Sequence, residues 1–132
     1  MTDWRDTSWT LYPRSHEKVT IEEVLEHLSE HKTHNINIEK ITKHIMPGGI
    51  SDWEYNRIRV AAANLEYPII IVQSENKYRY ILDGNHRLQK AINEEVESIK
   101  VKILDLDDPD TPEIFKKLFG STSSFSIAWL TK

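Results

Sequence analysis

Apolar residues recur at three- and four-residue intervals in several segments of the chain, which is the spacing of one face of a helix. The first such segment predicts a helix over about residues 20–31, with Thr20 as its N-cap. A second segment predicts a helix that Ser51 or Asp52 caps and that ends near Asn64. In both segments a side-chain oxygen stands where it can accept a hydrogen bond from a helix amide that lacks an intrahelical partner.

Two further helices are predicted in the second half of the chain. One covers residues 86–94 and follows an apolar segment that ends at Gly84. The other runs from Pro112 to Phe119, because proline suits the start of a helix and Gly120 is placed to end it. Its apolar residues fall on one side of the helix, so this side is expected to be buried.

Alternating or continuous apolar runs predict four strands. Residues 35–41 begin with strict alternation of polar and apolar side chains, which predicts a short strand with one buried face. The run at 69–72 is entirely apolar, and the polar residues 74–77 separate it from a strand at 78–82, so these two strands are expected to form a hairpin. A fourth strand is expected over residues 98–104.

Length and composition are those of one globular domain, with 132 residues of which 39% are hydrophobic and 29% are charged. Residues 1–34 are expected to form an N-terminal arm and helix that pack on a core of residues 35–105. Residues 106–132 are expected to form a C-terminal helix and tail of the same domain. Residues 1–18 carry aromatic rings without clear periodicity, which predicts an irregular arm. The order of helices and strands predicts the α/β (α+β) class.

Composition excludes several kinds of chemistry. The absence of cysteine excludes disulfides, thiolate metal sites and thiol nucleophiles. A formal net charge of -4 argues against a protein that coats duplex DNA, since such binding depends on many Lys and Arg side chains. No apolar run approaches the roughly 20 residues that span a bilayer, and the N-terminal residues do not resemble a secretion signal. We therefore expect a cytoplasmic protein without a membrane partner.

The junction between the strand at 78–82 and the helix at 86–94 carries the clearest candidate chemistry. Gly84 permits a sharp turn and a close approach of a ligand to the backbone. The first amides of the following helix favour an anion, both as hydrogen-bond donors and as the positive end of the helix dipole. Arg87 adds a planar fork of donors that matches phosphate oxygens, and His86 adds a titratable group. The junction therefore predicts a phosphate site, whereas a tight turn whose Arg87 pairs with a carboxylate is the alternative.

With this turn, and with the predicted order strand, helix, strand, strand, turn, helix, strand, the chain resembles the ParB/sulfiredoxin-like family over about residues 35–105. The turn of that family contains glycine, a variable residue, His or Arg, then Arg, with alanine on the following helix. The matching residues here are Gly84, Asn85, His86, Arg87 and Ala91. The Asp-Gly-x-His-Arg form looks most like members that bind ATP and phosphorylate free serine, and like ParB-like proteins of phages and plasmids.

The resemblance implies a small mixed sheet flanked by helices, with a nucleoside triphosphate, ATP or CTP, bound at the turn and Mg²⁺ near its phosphates. Sulfiredoxins require a cysteine at the position of Asn85, so reduction of a sulfinic acid is ruled out. Partition proteins of the family add a helix-turn-helix domain and a dimerisation tail, which do not fit into the residues after 105. The family's usual Asn-Pro-Arg sequence is replaced here by residues 43–49.

Two other residues are placed to take part in the proposed pocket. Asp83 could hold Mg²⁺ through water, because that ion prefers carboxylate oxygens, or it could cap the helix after the turn. These two roles are equally compatible with the sequence. His44 is expected in the loop after the first strand, and loops at strand ends commonly line ligand sites.

Further candidates come from the two segments before the hairpin. Asp52 and Glu54 could serve as general base or Mg²⁺ ligand, and Arg57 could neutralise charge on the phosphates, although a charged helix face is the simpler interpretation. Glu39 is a candidate catalytic carboxylate, because the resemblance implies a glutamate early in the domain for serine phosphorylation.

The spacing of the histidines near the end of the first helix is compatible with a metal site, because residues four apart share a helix face. They are His27, His31 and His34. A solvated helix end, with cations near the negative pole of the helix, explains them more simply.

The sequence thus predicts a nucleotide-binding domain that hydrolyses or transfers a phosphoryl group with Mg²⁺, with His86 donating to the phosphates or relaying a proton. One alternative is a non-catalytic accessory module, of the kind that phages and plasmids encode, which binds nucleic acid or a protein through the same pocket or through the acidic residues 105–110. Another alternative is a ParB-like nuclease. The oligomeric state is left open.

Overall fold

The computed structural model describes residues 8–10, 18–45 and 56–120. They form a mixed α+β structure with five helices and six strands, which confirms the predicted class. The chain divides into two compact units. The terminal unit contains the described residues up to His31 and from Asp105 onward, and the sheet unit contains Lys32–Leu104. That the chain forms a single domain stays a prediction.

The terminal unit begins with a short antiparallel ribbon. Strand β1 (Ser8–Thr10) pairs with strand β2 (Lys18–Thr20), so the expectation of an irregular arm is wrong at residues 8–10. Helix α1 (Ile21–His27) follows directly, because the Thr20 hydroxyl accepts a hydrogen bond from the Glu23 amide at 3.2 Å. The N-cap prediction is confirmed, and the helix ends four residues before the predicted limit.

The last described helix of the terminal unit is α5 (Glu113–Phe119), which Pro112 precedes and Gly120 ends, as predicted. The acidic residues before it shape their own turn. The Asp105 carboxylate accepts from the Asp107 amide and the Asp108 carboxylate accepts from the Asp110 amide, both at 2.9 Å. The buried side chains of the terminal unit are mostly apolar: Val19, Ile21, Val24, Leu28, Leu106, Phe115, Leu118 and Phe119.

The sheet unit is built on four strands in the order β3, β6, β4, β5, with helices in the connections. The strands are β3 (His34–Asn37), β4 (Ile69–Ser74), β5 (Lys77–Asp83) and β6 (Ser98–Asp105). The helices are α2 (Ile38–Ile45), α3 (Arg57–Ala62) and α4 (Asn85–Asn93). Strand β3 is antiparallel to β6, and β4 is antiparallel to β5, in a mixed sheet.

The predicted strand over residues 35–41 is wrong beyond Asn37, where helix α2 begins. The Asn37 side-chain oxygen accepts a hydrogen bond from the Glu39 amide at 2.9 Å, which favours a helix start over continued pairing. Ile38 and Ile41 then lie one helical turn apart and are both buried in the core. The alternation of the sequence therefore ends at the junction between a strand and a helix.

The predicted hairpin is confirmed, with β4 and β5 joined by a two-residue turn. Glu75 and Asn76 have φ values of +52° and +62°. Two successive residues with positive φ give the turn type whose twist matches that of the flanking strands. The hairpin fixes the position at which β5 reaches Asp83 and the chain enters α4.

Helix α3 begins later than predicted. Its N-cap is Asn56, whose side-chain oxygen accepts from the Arg59 amide at 3.0 Å, so Ser51 or Asp52 is not the cap of this helix. Residues 46–55 lie outside the described part of the chain.

The carboxyl end of α3 is capped from α4. Lys90 Nζ donates to the carbonyl oxygens of Ala61 and Ala63 at 3.0 and 2.8 Å. Those carbonyls are at the end of α3, where the helix offers no amide partners. This bridge ties α3 to the helix that follows the Gly84 turn.

Replacement of Lys90 by methionine is expected to lower the free energy of unfolding by about 1–2 kcal/mol, because two charge-assisted hydrogen bonds to carbonyls, one of them partly buried, are lost while the aliphatic stem is kept. Urea denaturation measures the effect. The matched control is Lys43→Met, at an exposed lysine in α2, which should change stability by less than about 0.5 kcal/mol. Equal effects of the two substitutions would contradict the capping role of Lys90.

Candidate functional site

The strand-to-helix turn predicted from the sequence is present in the sheet unit. Strand β5 ends at Asp83, Gly84 has φ +109° and ψ +19°, and α4 begins at Asn85. The Gly84 carbonyl accepts the first intrahelical hydrogen bond, from the Leu88 amide at 2.9 Å. Gly84 is therefore the N-cap of α4, in a left-handed conformation that favours glycine.

One side of this turn is closed by the sheet. A Cβ atom on Gly84 would lie 2.5 Å from Ile69 Cγ2 and 2.7 Å from Ile69 Cβ. Ile69 is fully buried at the start of β4. The backbone at Gly84 thus packs directly against the neighbouring strand, and a ligand has to approach the turn from another side.

Arg87 is held by two groups of the protein itself. Its Nη2 donates to Asp83 Oδ2 at 2.7 Å, and its Nη1 donates to the Pro68 carbonyl oxygen at 3.0 Å. The side chains of Arg87 and Asp83 are only 15% and 22% exposed. The alternative in which Arg87 pairs with a carboxylate is therefore the arrangement that the structure has.

Asp83 forms this ion pair one turn before Arg87 and does not cap α4. The N-cap position is occupied by Gly84, which has no side chain that could accept from the first amides of α4. The capping role expected for Asp83 is wrong, because its carboxylate is engaged with the guanidinium. Its role as a Mg²⁺ ligand stays a prediction.

The geometry of the Arg87 guanidinium bears on its ability to bind an anion. The guanidinium has five N–H donors in a plane, and the two observed bonds use one donor each on Nη1 and Nη2. Its orientation is fixed, since a carboxylate and a carbonyl hold it from two sides. A phosphate with two or more negative charges could compete with the single charge of Asp83 for the same fork of donors.

The other predicted residues are distributed among the elements around this turn. Asn85 and His86 lie in the first turn of α4 and are half-buried. Glu39 lies in the first turn of α2 and is exposed, and Arg57 is exposed at the start of α3. Residue 44 lies in α2, so the expectation that His44 lies in a loop is wrong.

Helix α2 packs against β5 and α4, so Glu39 belongs to an element beside the turn but lies on its exposed face. Asp52 and Glu54 fall outside the described residues. The contribution of Pro68 was not predicted, because a main-chain carbonyl 19 residues before Arg87 leaves no signal in the sequence.

The terminal unit contains a separate cleft of about 580 Å³ beside the end of α1. Its lining residues are Glu26, His27, Ser29, Glu30, His31 and Asp110. The rings of His27 and His31 lie 4.9 Å apart between centroids. Among the residues that the structure describes, no group of three or more His, Asp or Glu side chains is arranged to hold a metal ion.

Comparisons with protein-family models, with curated proteins and with solved structures give no match to this chain. The resemblance to the ParB/sulfiredoxin-like family therefore rests on the residues of the turn and on the order of the elements. Within the described ranges, no helix has the length and apolar character needed to cross a membrane.

Proposed function

We propose that this chain is a cytoplasmic ParB-like domain that binds a nucleoside triphosphate, ATP or CTP, at the turn from Gly84 to Arg87. The observation that supports this function best is the position of Arg87. A fixed guanidinium in the first turn of α4, directly after a left-handed glycine, combines a strong anion ligand with the positive end of a helix.

The proposed binding step is an exchange of partners on the guanidinium. The triphosphate takes the place of the Asp83 carboxylate on Arg87, while the Pro68 carbonyl keeps the guanidinium in position. The released Asp83 carboxylate would then hold Mg²⁺ beside the phosphates, because that ion prefers carboxylate oxygens and retains several waters. Arg87 would exchange the negative charge of Asp83 for that of the triphosphate, and Asp83 would exchange the positive charge of Arg87 for that of Mg²⁺. The nucleotide and Mg²⁺ are therefore expected to bind cooperatively.

Hydrolysis or transfer of the terminal phosphoryl group would rest mainly on positioning and charge neutralisation. In this proposal Arg87 stabilises the charge on the phosphates, and His86 donates to them or relays a proton. Glu39 is the candidate catalytic carboxylate if the phosphoryl group is transferred to an acceptor. The proposal keeps the other predicted roles: general base or Mg²⁺ ligand for Asp52 and Glu54, neutralisation of phosphate charge for Arg57, and a place in the lining of the pocket for His44.

A second candidate is a binding module without catalysis, encoded by a phage or plasmid, that engages nucleic acid or a protein. The observation that favours it is the 2.7 Å ion pair between Asp83 and Arg87, which gives the turn a complete structural role without a ligand.

Titration calorimetry with ATP, CTP and GTP, each with and without Mg²⁺, tests the proposed function. Arg87→Met is expected to weaken nucleotide binding at least tenfold, since charge-assisted hydrogen bonds are worth roughly 1.5–3 kcal/mol each. The matched control is Arg79→Met, at an exposed arginine of β5 whose Nε donates to the Ser74 side chain, and it should bind like the parent. Circular dichroism verifies that both variants are folded.

Two results would count against nucleotide binding at this turn. One is the absence of heat and of a thermal shift with every nucleotide tested. The other is equal affinity of Arg87→Met and the parent. Binding without turnover, measured by phosphate release, would favour the non-catalytic module over the enzyme.

A further inference from the structure

His27 is the last residue of α1, and its ring lies in an apolar contact with α5. The ring centroids of His27 and Phe115 are 5.5 Å apart with an interplanar angle of 89°, which is an edge-to-face arrangement. The Nε2 atom of His27 is buried and has no hydrogen-bond partner in the described part of the chain. A buried nitrogen without a partner is unusual in a folded protein and calls for a physical explanation.

The neutral and protonated forms of this ring differ sharply in their fit to that environment. A neutral imidazole can leave an acceptor nitrogen against an aromatic ring at a moderate cost, whereas an imidazolium would bury both a charge and an unsatisfied N–H. Burial lowers the pKa of His27 below its ordinary value of 6.5, and the neighbouring His31 lowers it further. The carboxylates of Asp108 and Asp110 act in the opposite direction with smaller effects.

His27 also has charged and titratable neighbours. The cleft beside the ring is lined by Glu26 in the last turn of α1, by Glu30 and His31 in the turn after it, and by Asp110 in the loop before α5. Asp108 lies in the same loop. The apolar contact with α5 therefore favours the neutral ring, whereas the acidic residues of the cleft favour the protonated ring.

We propose that the contact between α1 and α5 is a pH-sensitive latch, closed while His27 is neutral against Phe115 and released when the ring is protonated and turns toward the carboxylates of the cleft. The sign follows from proton linkage. The unfolded chain binds a proton on His27 more readily than the folded one. The stability that the contact contributes is therefore complete above about pH 6.5 and falls as the pH decreases from 6.5 toward the lowered pKa.

Proton NMR of the imidazole C–H groups in the parent protein tests the latch directly. We expect His27 to titrate with a midpoint below 6.5, and we expect the ring protons of Phe115 to shift with the same midpoint. Asp110→Asn should move the His27 midpoint to still lower pH, because a carboxylate that favours the charged ring is removed. A His27 midpoint at or above 6.5, or Phe115 shifts that do not follow it, would overturn the proposal.

Urea denaturation between pH 8 and pH 5 gives a second test. The urea concentration at half unfolding of the parent should decrease as the pH falls below 6.5. His27→Leu should remove the part of this decrease that comes from His27, because leucine fills the apolar contact without a titrating group. His34→Gln is the control, since His34 is an exposed histidine of β3, and it should keep the pH profile of the parent. A parent-like profile in His27→Leu would contradict the latch. If His27→Leu does not fold, the NMR titration of the parent decides.

Discussion

Gly84→Ala is expected to destabilise the sheet unit by about 2–5 kcal/mol. Two effects add at this position. A residue with a Cβ in the left-handed conformation costs roughly 1–2 kcal/mol, and forcing extra volume into a packed core adds about 1–3 kcal/mol. The second effect applies here because the new Cβ would lie 2.5 Å from Ile69 Cγ2 and 3.1 Å from Ile69 Cα, so a side-chain rotation cannot relieve the contact.

Urea denaturation at neutral pH measures this effect, and Asn76→Gly is a control of the opposite sign. Asn76 has φ +62° in the hairpin turn, where glycine has no steric penalty, so this substitution should be neutral or stabilising by less than about 1 kcal/mol. If Gly84→Ala stays within about 0.5 kcal/mol of the parent, the left-handed turn and its packing on β4 are not what holds α4 in place.

The elements that were correctly predicted from the sequence are those whose signals are local. The hairpin at residues 69–83 requires only a polar turn between two apolar runs, and its turn conformation is set by Glu75 and Asn76. Helices α1 and α5 have boundary residues that bond to the adjacent turn: the Thr20 hydroxyl accepts from the Glu23 amide, and the Gly120 amide donates to the Lys116 carbonyl. Such signals act over three or four residues, so they can be recognised in the sequence without knowledge of tertiary contacts.

The strand predicted over residues 35–41 is wrong beyond Asn37 because two local signals compete there. Ile36 and Ile38 alternate as in a strand, but Ile38, Ile41 and Ile45 also have helical spacing. The Asn37 side chain decides in favour of the helix by accepting from the Glu39 amide, and tertiary packing completes the choice by burying Ile38 and Ile41 in the sheet core. The spacing of apolar residues alone could not select between these structures, because Ile38 belongs to both patterns.

The candidate site was predictable in its position but not in its internal bonds. Gly84 and Arg87 are adjacent to a strand end and a helix start in the sequence, so the turn could be located there. The Pro68 carbonyl that holds Arg87 lies 19 residues earlier, and only the pairing of β4 with β5 brings it close. His27 is similar, because its partner Phe115 is far away in sequence and the helical pattern alone indicates a solvated end of α1.

Leu88→Ala is expected to lower the free energy of unfolding by about 2–5 kcal/mol, the range for truncation of a buried leucine. Leu88 is 0% exposed and belongs to the core cluster of the sheet unit. The other buried members of that cluster are Ile38, Ile41, Ile69, Ile71, Ala91, Ile99 and Val101. These residues come from both neighbouring strands and helices, so the vacated space has walls that cannot all collapse inward, which places the expected loss in the upper half of the range.

The control for this prediction is Ile58→Ala, at an isoleucine of α3 that is 74% exposed, which should change stability by less than about 0.5 kcal/mol. Leu88→Met keeps most of the volume and should cost less than about 1.5 kcal/mol. Because Leu88 directly follows Arg87 and anchors the first turns of α4 to the core, its truncation should also weaken the proposed nucleotide binding in protein that remains folded. A Leu88→Ala variant that loses stability but keeps parent-like affinity would show that the position of Arg87 depends on Asp83 and Pro68 rather than on the packing of α4.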